Sequence, residues 1–268
     1  MSPREDGSGA EVEARHAYSL PHYRHILRRA LELGYETPKV EDVAYGLPEG
    51  RWFLIRHDVD ISPWAALEMA SLEKSEGVTT TYYYRFHAPY YNLLDAKVLD
   101  SVRQVHEMGH EVGLHYEPGF FLERGEDPVE GTRRDIRLFE ESTGIPTRTI
   151  AQHQPAQGPL LDEIDPDHAC AYQQALVREI PYFGDSGFHW REGCICTKLG
   201  QHDRLHTLIH PHSWTLSGPP WQDVLRAHAM DLNSRLVEEM ETYIREVEVY
   251  LAQRERLDRE REERYGKN

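Results

Sequence analysis

The chain is short of cysteine and of positive charge, and it has no long hydrophobic run. Three cysteines, Cys170, Cys194 and Cys196, are too few for a disulfide framework in 268 residues, which excludes a cross-linked secreted scaffold and fits a reducing compartment. The 30 Lys and Arg stand against 46 Asp and Glu, a formal charge of -16 that opposes nucleic-acid backbones and anionic lipids, so no nucleic-acid partner is expected. No apolar stretch approaches the roughly 20 residues that span a bilayer. With a mean hydropathy of -0.68, no membrane insertion is expected either. Met1 to Ala14 is polar and rich in Gly and Ser, without the apolar centre of a signal peptide. Residues 1–17 are therefore expected to be a disordered tail, and the protein to be cytoplasmic.

What the chain does have is 16 histidines, the side chain most often used as a metal ligand and as an acid or base near neutral pH. Their placement follows from the secondary-structure pattern. Leu20 to Leu33 has helical spacing and stops at Gly34. Residues 51–58 form an apolar strand closed by Arg56-His57-Asp58-Val59-Asp60. Ser62-Pro63 then opens a helix that runs to Gly77. A second strand, 78–86, is dense in β-branched and aromatic residues and ends at Arg85 and His87. A helix over 92–108 leads to a third strand, 111–115, and a helix over 127–143 to a fourth, 147–151, with His153 just beyond. A short helix near 169–177 and strands over 180–184 and 205–209 follow. The chain finishes in a long charged helix, or two in succession, from Trp221 to about Glu263, whose apolar stripe either covers the domain or pairs with a second subunit as a homodimer.

Strands and helices alternate at least four times, the signature of parallel βαβ units. In such folds the strand ends that carry the following loops gather the chemistry, and Asp58, Asp60, Arg85, His115, Glu117, His153, Asp185 and His210 all fall there. Because strand side chains alternate, Asp58 and Asp60 share one face and His57 and Val59 the other. Neighbouring carboxylates repel unless a cation or a proton is shared between them, which points to a metal site or to acid/base chemistry. An Asp-rich turn capping the next helix is the alternative. His57 and His110 are expected to make ordinary structural hydrogen bonds, and Tyr82 to Tyr84 to pack in the core. Cys194-x-Cys196 is either a fragment of a metal site or two small apolar residues in a strand.

The His57-Asp58-Val59-Asp60 run, Gly109-His110-Glu111-Val112-Gly113-Leu114-His115 and Leu208-Ile209-His210-Pro211, with Gln152-His153-Gln154-Pro155 and Gly184-Asp185-Ser186-Gly187 between them, resemble the motifs of the polysaccharide deacetylase (NodB-homology) superfamily. The closer likeness is to its intracellular branch, which carries a His-Asp-Val-Asp first motif. The resemblance spans roughly residues 51–214. It implies an irregular (β/α) barrel with fewer than eight strands over residues 18–220 and a C-terminal helical extension over 221–268. It also implies a metal-dependent hydrolase that removes an N-acetyl group from a small or carrier-linked amino sugar. Asp58 would be the general base and His210 the general acid, with Asp60 and His115 as metal ligands. The second metal histidine of the usual pattern is replaced by Gly119, so the third ligand would be His153 or Glu117. Arg85 and Trp214 would contact substrate, Tyr90 and Tyr91 are further stacking candidates, and Asp185 and Arg191 would orient the base or acid. The metal would be zinc, with cobalt, nickel or manganese as alternatives. Competing readings are a hydrolase of another C–N amide bond and a catalytically silent sugar-binding protein that kept the pocket.

Overall fold

Short local signals place the helices. In the computed structural model, which describes residues 18–155, 164, 167–216 and 220–266, helix α1 (Leu20–Glu32) is opened by Ser19, whose side chain accepts from the His22 amide. A single turn, α2 (Val40–Val43), precedes strand β1 (Trp52–Val59). Helix α3 (Pro63–Ser75) begins with the expected pairing of Ser62 as cap and proline in the first turn, since proline has no amide to leave unsatisfied there. Then come β2 (Thr81–Tyr84), α4 (Ala96–Glu107), β3 (Glu111–Tyr116), a short α5 (Pro118–Leu122), α6 (Pro128–Thr143) and β4 (Thr149–Gln152). The remaining elements are β5 (Ala169–Cys170), α7 (Gln174–Val177), β6 (Tyr182–Gly184), β7 (Arg204–Ile209) and α8 (Trp221–Tyr265).

All seven strands are parallel and stand in the order β5-β4-β3-β2-β1-β7-β6. Because β5 and β6 are not paired, the sheet is a curled half-barrel, which is the expected irregular barrel with fewer than eight strands. Two details differ from the pattern-based expectation, and a third decides between its alternatives. Ala169 and Cys170 extend the sheet instead of opening a helix, because their backbone pairs with Thr149 and Ile150 of β4. Cys194 caps a 3-10 turn, Ile195–Thr197, that contains Cys196, so neither lies in a strand. The C-terminal segment is one unbroken helix, and the chain divides into compact units at Val224/Leu225, just inside that helix. Met230, Leu236, Met240 and Ile244 of its stripe are exposed. The expected N-terminal tail and residues 156–163, 165–166, 217–219 and 267–268 lie outside the described residues. Among the described residues no helix is long and apolar enough to cross a membrane.

The alternation of β1 divides the interior. Trp52 and Leu54 face the inside of the half-barrel, packed with Tyr83, Ala151 and Leu176, while Phe53 and Ile55 pack outward with Tyr23, Ile26 and Met69 of α1 and α3. Gly113 of β3 is needed for this interior, because a Cβ there would lie 2.4 Å from the Thr149 carbonyl and 2.8 Å from the Tyr83 ring.

On the outer face, Glu73 of α3 is fully buried and accepts hydrogen bonds from Tyr23, from His57 Nε2 (2.7 Å), from Thr80 Oγ1 (2.8 Å) and from Tyr82 (2.7 Å). His110 accepts from the Thr80 amide at Nδ1 (3.1 Å) and donates from Nε2 to the Ala70 carbonyl (3.2 Å). His57 and His110 are thus structural, as expected. Burial pushes the Glu73 carboxyl up, but the charge and hydrogen bond of His57, with His110 and Tyr23, bring it down to about 2. Four donors converge on one carboxylate, so Glu73→Gln would set an amide N–H against them. Removing the charge from a buried, paired group of this kind should cost about 3 kcal/mol or more, measurable by urea unfolding.

A second buried carboxyl behaves in the opposite way. Glu111 accepts from the Glu41 amide (2.9 Å), Thr81 Oγ1 (2.8 Å) and the Thr149 hydroxyl, yet burial outweighs these hydrogen bonds and pushes its pKa up to about 7. The fold therefore favours the neutral acid. Its contribution to stability is complete below about pH 4.5, declines as pH rises to about 7, and is constant above that. Glu111→Gln keeps a neutral group at this position, so between those pH values it should gain on the wild type by about 3 kcal/mol. Parallel denaturation curves across pH would detect this.

Candidate metal centre

Four strand ends build the site. Along β1 and just beyond it, Arg56, Asp58 and Asp60 follow Trp52 and Leu54 on the inner face, so the same alternation that fills the barrel floor with apolar groups puts three charges at its mouth. His115 comes from β3. His153 directly follows β4, where its amide donates to the Tyr116 carbonyl at 2.8 Å and so prolongs the ladder. His210 directly follows β7.

Asp60, His115 and His153 form a compact donor set, with their ligand atoms all within 4.8 Å of one another. Asp60 Oδ1 lies 3.5 Å from His115 Nε2 and 3.6 Å from His153 Nε2, and it is buried without a hydrogen-bond partner. His115 Nδ1 donates to the Ala151 carbonyl (2.9 Å), which directs Nε2 toward the carboxylates and fixes which nitrogen can ligate. One carboxylate and two imidazoles around an orphaned oxygen match the donor chemistry of a divalent transition metal. Burial pushes the Asp60 carboxyl up, but His115, with the charges of His210 and His153, outweighs it and holds the group well below the usual carboxylate range. For His153, burial and the charge of His115 lower the pKa to about 4, so at neutral pH it presents a lone pair.

Asp58 and His210 flank this set. Asp58 Oδ2 lies 3.5 Å from His115 Nε2 and 3.5 Å from an Arg56 nitrogen, while its Oδ1 is buried and unpartnered. Arg56 is itself fully buried, its guanidinium 4.0 Å from the centre of the Tyr172 ring and 5.8 Å from that of Tyr182, so aromatic faces compensate part of its lost hydration. His210 Nε2 is 3.7 Å from Asp60 Oδ2, and its Nδ1 donates to Asp185 Oδ1 at 2.6 Å. Burial lowers the His210 pKa, but the Asp185 carboxylate overrides it and raises the value to about 9. Asp185 is fully buried and also accepts from the His210 amide (3.1 Å) and from Trp214 Nε1 (2.8 Å).

These groups open into a cleft of about 450 Å³, also lined by Gln154, Tyr172, Tyr182, Ser186, Arg191 and Glu192. A larger depression of about 800 Å³ lies at the other ends of β1 and β7 around Arg51 and Asp203, which are paired to each other at 2.8 Å, and it holds no ligand set.

The structure brings several of the expected residues together. Asp58, Asp60, His115, His153 and His210 converge, Asp185 orients His210, and Arg191 lines the cleft. His153 joins the donor set, whereas Glu117 is occupied by Arg85 (2.5 Å) and the His87 amide (3.0 Å). Two expectations are corrected. Trp214 has no exposed surface and braces Asp185, so it cannot stack on a substrate. Arg85 is buried in its pair with Glu117 and does not line the cleft. Tyr91 is likewise a brace, its hydroxyl donating to the Val59 carbonyl and accepting from the Arg85 amide, both at 2.8 Å. Arg56 was overlooked in the sequence, although it stands two residues before Asp58 and so had to share its face. Tyr172 and Tyr182 carried no signal beyond their aromaticity.

Neither the models of known protein families nor the curated proteins contain a match to this chain. The donor set is tested by titrating the purified protein with zinc. Asp60→Ala and His115→Ala should abolish stoichiometric binding at the cleft and His153→Ala should weaken it, while Glu117→Ala should leave it in place. Calorimetry reads each case, and full binding by Asp60→Ala would exclude this donor set.

Proposed function

We propose that the chain is a cytoplasmic metal-dependent hydrolase that removes an N-acetyl group from an amino sugar or sugar conjugate. The observation that carries this reading is the placement of Asp58 and His210 on either side of the Asp60–His115–His153 set at the base of one cleft. The motif resemblance supplies the substrate class. The cleft lies within the usual size range of small-molecule sites, and its polar lining of Gln154, Ser186, Arg191 and Glu192 suits a hydroxyl-rich ligand.

A zinc-class ion held by Asp60, His115 and His153 would supply Lewis acidity, polarising the acetyl carbonyl and making a bound water more acidic. Asp58, whose Oδ1 has no competing donor, accepts the proton of the attacking water. Arg56 compensates the Asp58 charge in a dry setting, and His115 fixes the carboxylate's position from the other side. His210, kept protonated by Asp185, delivers its Nε2 proton to the departing amine, which is a poor leaving group without it. Because Asp185 is itself held by Trp214 and the His210 amide, the imidazole is fixed in orientation before substrate arrives.

The test is acetate release across a panel of N-acetyl sugars and sugar nucleotides, with formyl and longer acyl amides included to separate the other C–N hydrolase reading. Asp58→Asn should lower kcat by roughly 10²–10⁴-fold while zinc still binds. Turnover in Asp58→Asn equal to that of the wild type would overturn the assignment of the base, and zinc binding without hydrolysis of any panel member would favour the silent binding protein.

A further inference from the structure

A second set of ligand-type side chains lies away from the cleft. His22 on the first turn of α1 meets Cys194, which caps the 3-10 turn in the loop between β6 and β7, and Cys196 within that turn. His22 Nε2 is 3.7 Å from Cys194 Sγ, and the ligand atoms of all three residues lie within 4.8 Å of one another. His22 and Cys194 are buried and Cys196 is half-buried. The imidazole and the sulfurs come from segments 172 residues apart. Burial alone explains a cysteine in a core, but it does not explain the meeting of one imidazole and two sulfurs.

The spacing fits a metal. A tetrahedral zinc ion with Zn–S near 2.3 Å and Zn–N near 2.0–2.1 Å requires nitrogen-to-sulfur edges of about 3.6 Å and a sulfur-to-sulfur edge of about 3.8 Å. The His22–Cys194 separation already equals that edge within about 0.1 Å, and the third donor needs at most about an ångström of side-chain movement to complete the triangle. We propose that His22, Cys194 and Cys196 form a second metal site, selective for zinc-class ions, with its fourth position left to water. On binding, the two thiols lose their protons to solvent and the sulfurs ligate as thiolates, while His22 ligates as the neutral imidazole.

The site would be structural. It ties α1 to the loop that carries Arg191 and Glu192 into one wall of the cleft. Trp214, which packs 5.7 Å from the His22 ring, is the residue that holds Asp185. Occupancy would therefore brace the acid side of the cleft without entering the chemistry. The inference is independent of the reaction assigned to that cleft, because its donors are different atoms on different elements.

Cobalt(II) is the probe, added to the full-length chain carrying Asp60→Ala and His115→Ala so that the cleft set is removed. One equivalent should bind with a sulfur-to-cobalt charge-transfer band in the near ultraviolet and strong visible bands of a tetrahedral ion, and zinc should displace it. Adding Cys194→Ser or Cys196→Ser should remove the charge-transfer band, with circular dichroism confirming the fold. A second measurement needs no variant: zinc should slow alkylation of Cys194 and Cys196 in the wild-type chain at least tenfold, read by peptide mass spectrometry. Absence of the sulfur band, its persistence in both serine variants, or alkylation rates unchanged by zinc would each overturn the proposal.

Discussion

The structure turns on one constraint: β1 and the residue just beyond it carry Arg56, Asp58 and Asp60 on a single face and take them out of bulk water. Isolated charges in such a setting would cost many kcal/mol, so the surrounding elements are committed to compensating them. Arg56 and Asp58 offset each other, Tyr172 and Tyr182 offer ring faces to the guanidinium, and His115, His153 and His210 surround Asp60. Of the strands that supply these histidines, β7 is β1's immediate neighbour, β3 lies two places away and β4 three. The curl of the half-barrel is therefore what lets histidines from the ends of β3, β4 and β7 reach the same carboxylate.

The opposite face of β1 meets a related demand with a different outcome. His57 donates to Glu73, and that carboxylate also receives Tyr23, Thr80 and Tyr82, so α1, α3, β1 and β2 are tied to one buried charge. Here nearly every donor is matched, whereas on the inner face Asp58 Oδ1 and Asp60 Oδ1 remain orphaned. Satisfied buried networks make a fold specific and rigid, and unsatisfied buried oxygens invite a cation or a proton. The two faces thus divide the labour, one fixing the strand and the other leaving reactive groups available upon it.

Much of this was legible in the sequence because it rests on periodicity. The βαβ alternation fixes the parallel sheet, and the period of two on β1 predicts that Asp58 and Asp60 cooperate while His57 does not. The same rule covers Arg56, which stands two residues before Asp58 and shares its face. What periodicity cannot give is the depth of a loop residue. Trp214 follows His210 at the end of β7 and by position belongs to the active face, yet its indole turns inward to satisfy Asp185. Arg85 similarly sits at a strand end but is claimed by Glu117. Ala169 and Cys170 are too few to show a strand pattern, and they pair because β4 offers an open edge.

Position 119, in the short helix α5 that follows β3, is Gly and offers no ligand atom. His153 comes instead from the next strand over. A ligand on a short loop helix is positioned by that loop, but His153 is held by a ladder hydrogen bond to Tyr116, one residue beyond His115. Two imidazoles fixed to adjacent strands keep their separation unless the sheet itself deforms, and their rings already meet at 82° with centroids 5.2 Å apart. Drawing both imidazoles from strand ends therefore rests the donor set on the sheet. It also leaves Glu117, at the mouth of the same loop, free to neutralise Arg85. The donor set of one carboxylate and two imidazoles is thus assembled without a side chain from position 119.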